Sequence, residues 1–110
     1  HLTHSWIVSQ YAGEYNPYHH HTGDFSAVIY LKIPPKMQEE LDVEFQDHYP
    51  ANGLIEFMYG ENCDMRSDTI KYKPEVGTML VFPSYLKHFV YPFYSEGERR
   101  SMSFNAHMKL

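Results

Sequence analysis

Residues 25–33 read Phe-Ser-Ala-Val-Ile-Tyr-Leu-Lys-Ile and stop against Pro34-Pro35. A nearly continuous apolar run of that length, rich in β-branched and aromatic residues and closed by prolines, is the signature of a strand buried on both faces. Further strands are expected at residues 5–11, 53–58, 69–72, 78–82, 88–92 and 99–107, separated by Gly, Pro and Asn turn signals. A helical period occurs only in residues 36–49, where Met37, Leu41 and Phe45 alternate with charges. That segment fits a short surface helix or an insertion. Roughly seven or eight short strands with so little helix predict an all-β antiparallel barrel or sandwich.

The bulk numbers narrow the partners. A chain of 110 residues supplies one core, so residues 1–110 read as a single domain. A formal charge of -5 leaves no basic surplus for tracking phosphates, and no nucleic-acid partner is expected. Cys63 is the only cysteine, which rules out an internal disulfide and a Cys-based zinc site. A reducing, cytoplasmic setting follows as the simplest expectation. No apolar stretch approaches the roughly 20 residues that span a bilayer, so no membrane partner is expected. His1 stands where an initiator Met would, and strand character begins almost at once, which suggests a fragment lacking an N-terminal element.

Eight histidines are present, and three stand together as His19-His20-His21. Side chains two apart on a strand share a face, with Cα atoms about 6.6 Å apart. His19 and His21 can therefore point inward while His20 points out. Two imidazoles so placed can share a metal ion, and His88 on a strand brought alongside would be a third ligand. The plainer alternatives are a polar loop or a scrap of affinity tag; a tag is usually terminal, whereas this run lies between strands. His1, His4, His48 and His107 have no comparable setting. Near the end of the chain, Arg99, Ser101, Ser103 and Asn105 share one face of a strand. A cation-led polar face on a core strand is costly unless it meets a ligand or a water-filled cavity. The Arg99 fork suits a carboxylate, with the Ser101 hydroxyl beside it; alternatively Arg99 pairs with Glu96 or Glu98.

The string from Lys73 to His88 (Lys-Pro-Glu-Val-Gly-Thr-Met-Leu-Val-Phe-Pro-Ser-Tyr-Leu-Lys-His), followed by Val90, Pro92, Gly97-Glu98-Arg99 and Ser101-Met-Ser-Phe-Asn105, resembles the C-terminal half of the 2-oxoglutarate/Fe(II)-dependent oxygenases. The upstream segments Ser5-Trp6-Ile7, Tyr18-His19-His20-His21 and Ser26-Ala-Val-Ile-Tyr30 are similar to those of a small bacterial and phage branch of that superfamily. The resemblance covers the chain apart from residues 36–51. It implies a double-stranded β-helix (jelly-roll, cupin-like) fold and a dioxygenase core. His19, His21 and His88 would hold Fe(II). Arg99 and Ser101 would hold the C5 carboxylate of 2-oxoglutarate, with Tyr11 and Tyr30 as further cofactor-wall residues. The implied activity is an oxidoreductase, by default a hydroxylase, using O2, 2-oxoglutarate and an unknown organic substrate.

One position departs from the family pattern. Two residues after the first His the pattern places Asp or Glu, completing a two-His-one-carboxylate triad; this chain has His21. Asp24 is the nearest acid that could replace it. A different reading of the same residues is a cupin-like three-His metalloprotein that does not use 2-oxoglutarate. It would be either another kind of dioxygenase or a metal-dependent binding module. A third is a β-sandwich interaction domain with incidental histidines. Substrate choice would fall to residues 13–18, 36–51 and 62–67 as mouth loops.

Overall fold

The computed structural model describes residues 2–42 and 51–108. Eight strands occur in it: β1 (Leu2–Gln10), β2 (Asn16–His19), β3 (Phe25–Lys32), β4 (Ile55–Met58), β5 (Thr69–Tyr72), β6 (Met79–Pro83), β7 (Lys87–Val90) and β8 (Arg99–Ala106). They form two four-stranded antiparallel sheets, ordered β1-β8-β3-β6 and β2-β7-β4-β5. The all-β, helix-poor expectation is met among the described residues. The only helical turn there is a short 3-10 helix, Met37–Asp42. It falls in the segment with helical period, whose residues 43–50 lie outside the described ones. No described helix is long and apolar enough to cross a membrane.

The apolar run at residues 25–33 becomes β3, in the middle of its sheet between β8 and β6. Its inward residues Val28 and Tyr30 meet Ile55 and Phe57 of β4 and Phe82 of β6, so the core lies between the two sheets. The strand with no clear sequence signal is β2: only four residues, including Pro17, joined to β7 with an irregular register. Pro cannot donate to a ladder, which is why such a segment reads as a turn and occurs only at a sheet edge.

Two glycines fix the backbone around the cavity between the sheets. Gly23 has φ 100°, and a Cβ there would stand 2.9 Å from the Ala106 carbonyl oxygen, so the loop after β2 passes directly against β8. Gly53 has φ 77° and lies against Met37, whose Sδ would be 2.7 Å from a Cβ. Left-handed backbone of this kind is accessible to glycine without steric cost.

Candidate metal centre

His19 is the last residue of β2 and pairs across the ladder with His88 of β7. His21 lies beyond the strand, so the expectation of a His-x-His pair within one strand is half met. Its backbone N–H donates to the Ser84 carbonyl at 2.9 Å, which holds the loop against the β6–β7 turn and points the imidazole inward. The three side chains come together: one nitrogen from each lies within 4.8 Å of the others. The ring centroids of His19 and His88 are 4.0 Å apart, and those of His21 and His88 are 4.9 Å apart and nearly parallel at 12°. His20 points outward and is exposed.

Backbone carbonyls set the tautomers of two of the three. The Nδ1–H of His19 donates to the Pro17 carbonyl at 2.6 Å, and that of His88 donates to the Leu86 carbonyl at 3.1 Å. Each Nε2 then carries a lone pair, the arrangement that orients metal-ligating imidazoles, and that of His88 accepts from the Nε2–H of His21. The Nε2 atoms of His21 and His88 are 3.1 Å apart. Two cis nitrogens on one ion at 2.0–2.1 Å would be about 3 Å apart, so the donor set fits a first-row divalent metal. Burial lowers His88 to about 4, reinforced by the neighbouring histidines and opposed by the Leu86 carbonyl. Burial and the charges of His19 and His20 lower His21 as well. Neutral imidazole is the form that ligates.

A narrow cleft of 70 Å³ runs from the histidines to Arg99, with room for a few waters. Trp6 stands beside His21, ring centroids 5.5 Å apart. Gln10, four residues further along β1, accepts from Arg99. The histidine and arginine ends are thus about 13 Å apart along the strands. Arg99 is buried at 4 % exposure, as are Ser101 and Asn105 on the same face of β8. Its guanidinium donates to the Gly53 carbonyl and to Gln10 Oε1, and it stands 5.6 Å over the Phe93 ring. Burial pushes it down to about 10, still a cation at neutral pH. The pairing with Glu96 or Glu98 does not occur: Glu98 binds Arg100 at 2.9 Å and Ser9 at 2.6 Å.

The other expected site residues divide. Tyr30 lines the cleft, and burial raises it to about 12. Tyr11 is 51 % exposed beyond the end of β1, and its N–H donates to Glu14. Asp24 faces away from the histidines: its Oδ2 accepts from the Met108 N–H at 2.7 Å and from His107 at 3.3 Å. Residues 13–18 lie toward the arginine end, where the Gly13 N–H donates to Phe93, and the β4–β5 hairpin leaves the sheet beside His88. Sequence reasoning missed Gln10 and Gly53 as the partners of Arg99, and Trp6 as the neighbour of His21. It also missed the buried Ser26–Asn105 bond (2.8 Å) beneath the site. Gln10 and Ser26 share their inward faces with apolar residues, Trp6 and Val8 on β1 and Val28 on β3, so an isolated polar residue on such a face was the available signal.

These contacts overturn the expectation of an Fe(II)- and 2-oxoglutarate-dependent dioxygenase or hydroxylase. The cluster is three histidines with no carboxylate among the described residues. The usual triad carries one negative ligand, which lowers the charge of the centre and is part of its chemistry. A neutral set does not reproduce it, and Asp24 is engaged elsewhere. The Arg99 fork is likewise already bonded to two neutral acceptors. The correction extends to the enzyme class and to Fe(II) with 2-oxoglutarate as the cofactor pair.

No curated protein compared with the chain matches it. A family model described as "Putative 2OG-Fe(II) oxygenase" matches residues 4–105, a span that includes all three histidines, Arg99 and Ser101. The chain therefore belongs to that family.

Proposed function

We propose that this protein is a cupin-like three-histidine metalloprotein that works without 2-oxoglutarate, with His19, His21 and His88 as ligands to one divalent first-row metal. The observation that carries the reading is the convergence of three imidazole nitrogens within 4.8 Å without an acid. The strand orders β1-β8-β3-β6 and β2-β7-β4-β5 support a jelly-roll scaffold, built as one domain over residues 1–110. A single cysteine is in keeping with an intracellular setting.

When bound, the metal would supply Lewis-acid polarisation or O2 chemistry at the histidine end of the cleft. The protein's own groups would select what enters. Trp6 and Phe82 form apolar walls beside the histidines, and Ser101 lines the far end, where Arg99 is bonded to Gly53 and Gln10. The ligand class that fits is a small, partly apolar organic molecule with a polar terminus. The reading is a metal-dependent binding or dioxygenase module of that class.

The test is metal loading of the purified protein with Mn, Fe, Co, Ni, Cu and Zn, followed by elemental analysis and titration calorimetry. One equivalent of metal is expected, lost in His88→Ala, with no further thermal stabilisation by added 2-oxoglutarate. Absence of stoichiometric binding for every metal would sink the reading.

A further inference from the structure

The two sheets have four edge strands, and three of them carry features that discourage further pairing. β2 has four residues, contains Pro17 and has an irregular register. β5 has four residues and bears Lys71. β6 has five residues and ends in Pro83. Short length, proline, lysine and irregular register are the usual means by which proteins stop a sheet edge from recruiting another strand.

β1 has none of these through most of its length. It is nine residues long, Leu-Thr-His-Ser-Trp-Ile-Val-Ser-Gln, with no proline and no Lys, Arg, Asp or Glu. Its register on β8 runs without a shift from His4 to Gln10, and the one irregularity is at the Leu2 end. One side of this straight strand bonds β8, while its other side pairs no described strand. The outward face of the sheet continues the pattern. Ile7, Met102, Ile29 and Met79 lie opposite one another in a single row across all four strands. At its two ends Ile7 and Met79 are 55 % and 51 % exposed.

We propose that β1 is a dimerisation edge, pairing antiparallel with β1 of a second copy of this chain. Antiparallel pairing of a strand with itself is two-fold symmetric, so one patch serves both partners. Two copies of a chain with net charge -5 repel each other in general. The neutral sequence of β1 brings no like charges together at the contact. The nearest acids, Glu98 and Glu14, are gathered at its Gln10 end. The joined sheet would have eight strands, with the Ile7 end of each apolar row brought to the seam. About one backbone hydrogen bond per residue would form along the paired stretch, which is where the affinity would come from.

The experiment is sedimentation equilibrium of the metal-loaded chain across roughly a hundredfold range of concentration, with hydrogen exchange read on the β1 amides. A monomer–dimer equilibrium is expected, with protection of residues 4–8 rising as the dimer forms. Ile7→Lys and Ser5→Lys each bring one cation from either copy to the paired edge, and each is expected to weaken the dimer at least tenfold. Both side chains point away from the cleft, so metal binding is expected to persist and reports that the fold is intact. Met79→Lys, on the same apolar row at the other edge, is expected to leave the dimer unchanged. Ser5→Lys exchanges one exposed polar residue for another, and it decides the matter if Ile7→Lys does not fold. A monomer at every concentration would overturn the proposal. So would a dimer that withstands Ser5→Lys, or one that only Met79→Lys dissolves.

Discussion

The two ends of the cleft are built on opposite plans. At one end three imidazoles from β2, its following loop and β7 aim nitrogens at a common point, with two of the rings held by backbone carbonyls behind them. At the other end a buried guanidinium is already bonded to Gly53 and Gln10 and covered by Phe93. The first arrangement is suited to binding, because one nitrogen of each ring converges on a common point. The second is a closed polar contact that ties β8 to β1 and to the turn before β4. Two polar groups in one cleft thus differ in kind: one offers coordination and the other holds the scaffold.

The largest test of that contrast is His88→Ala. It is expected to weaken metal binding by at least about 100-fold in titration calorimetry. Arg99→Met is the reciprocal experiment. It leaves a buried carbonyl and a buried amide oxygen without donors, and a loss of about 2 kcal/mol in urea unfolding is expected. Metal affinity should change by less than about threefold, since the two ends are about 13 Å apart. A large loss of metal binding in Arg99→Met, with stability intact, would break the comparison.

The histidine end also sets a pH dependence. In metal-stripped protein His88 titrates near 4 when folded and near 6.5 when unfolded. Between those values the unfolded chain binds the extra proton, so stability falls as pH drops from about 6.5 toward 4 and is full above that window. His21, also lowered, acts in the same direction. The ceiling for His88 is about 3 kcal/mol, less whatever solvent screening removes. Urea midpoints at pH 7 and pH 5 should separate in the wild type and draw together in His88→Asn; parallel midpoints would show that His88 is not buried neutral. The smallest expected effect belongs to Asp24→Asn. The carboxamide can still accept from the Met108 N–H, so stability should change by about 0.5 kcal/mol, and metal affinity by less than about twofold. A tenfold loss of metal would return Asp24 to the ligand set.

How much of this was legible in the chain follows local chemistry. β3, β5 and β6 announce themselves through β-branched and aromatic runs ended by Pro, because burial of a pleated face demands those residues. β2 does not, since Pro17 and three polar or aromatic neighbours look like a turn until β7 lies beside them. The grouping of His19, His21 and His88 could be anticipated from spacing and resemblance. Whether His21 or Asp24 faced the same point could not, because that depends on the Gly23 turn against Ala106 and on the Ser84 carbonyl that fixes the loop.

The sequence by itself therefore determined the all-β class and the polar face of β8, which rest on residue type and a period of two, and narrowed the candidate ligands to His19, His88 and either His21 or Asp24 through spacing and resemblance. Only the tertiary structure decided that Asp24 turns to the C-terminal segment and that Arg99 is engaged by Gly53 and Gln10. Those outcomes hang on partners 83 to 89 residues apart or on a backbone carbonyl 46 residues away, separations over which local pattern carries no signal. A motif names the groups that are present, but the contacts between strands decide which of them are left to do chemistry.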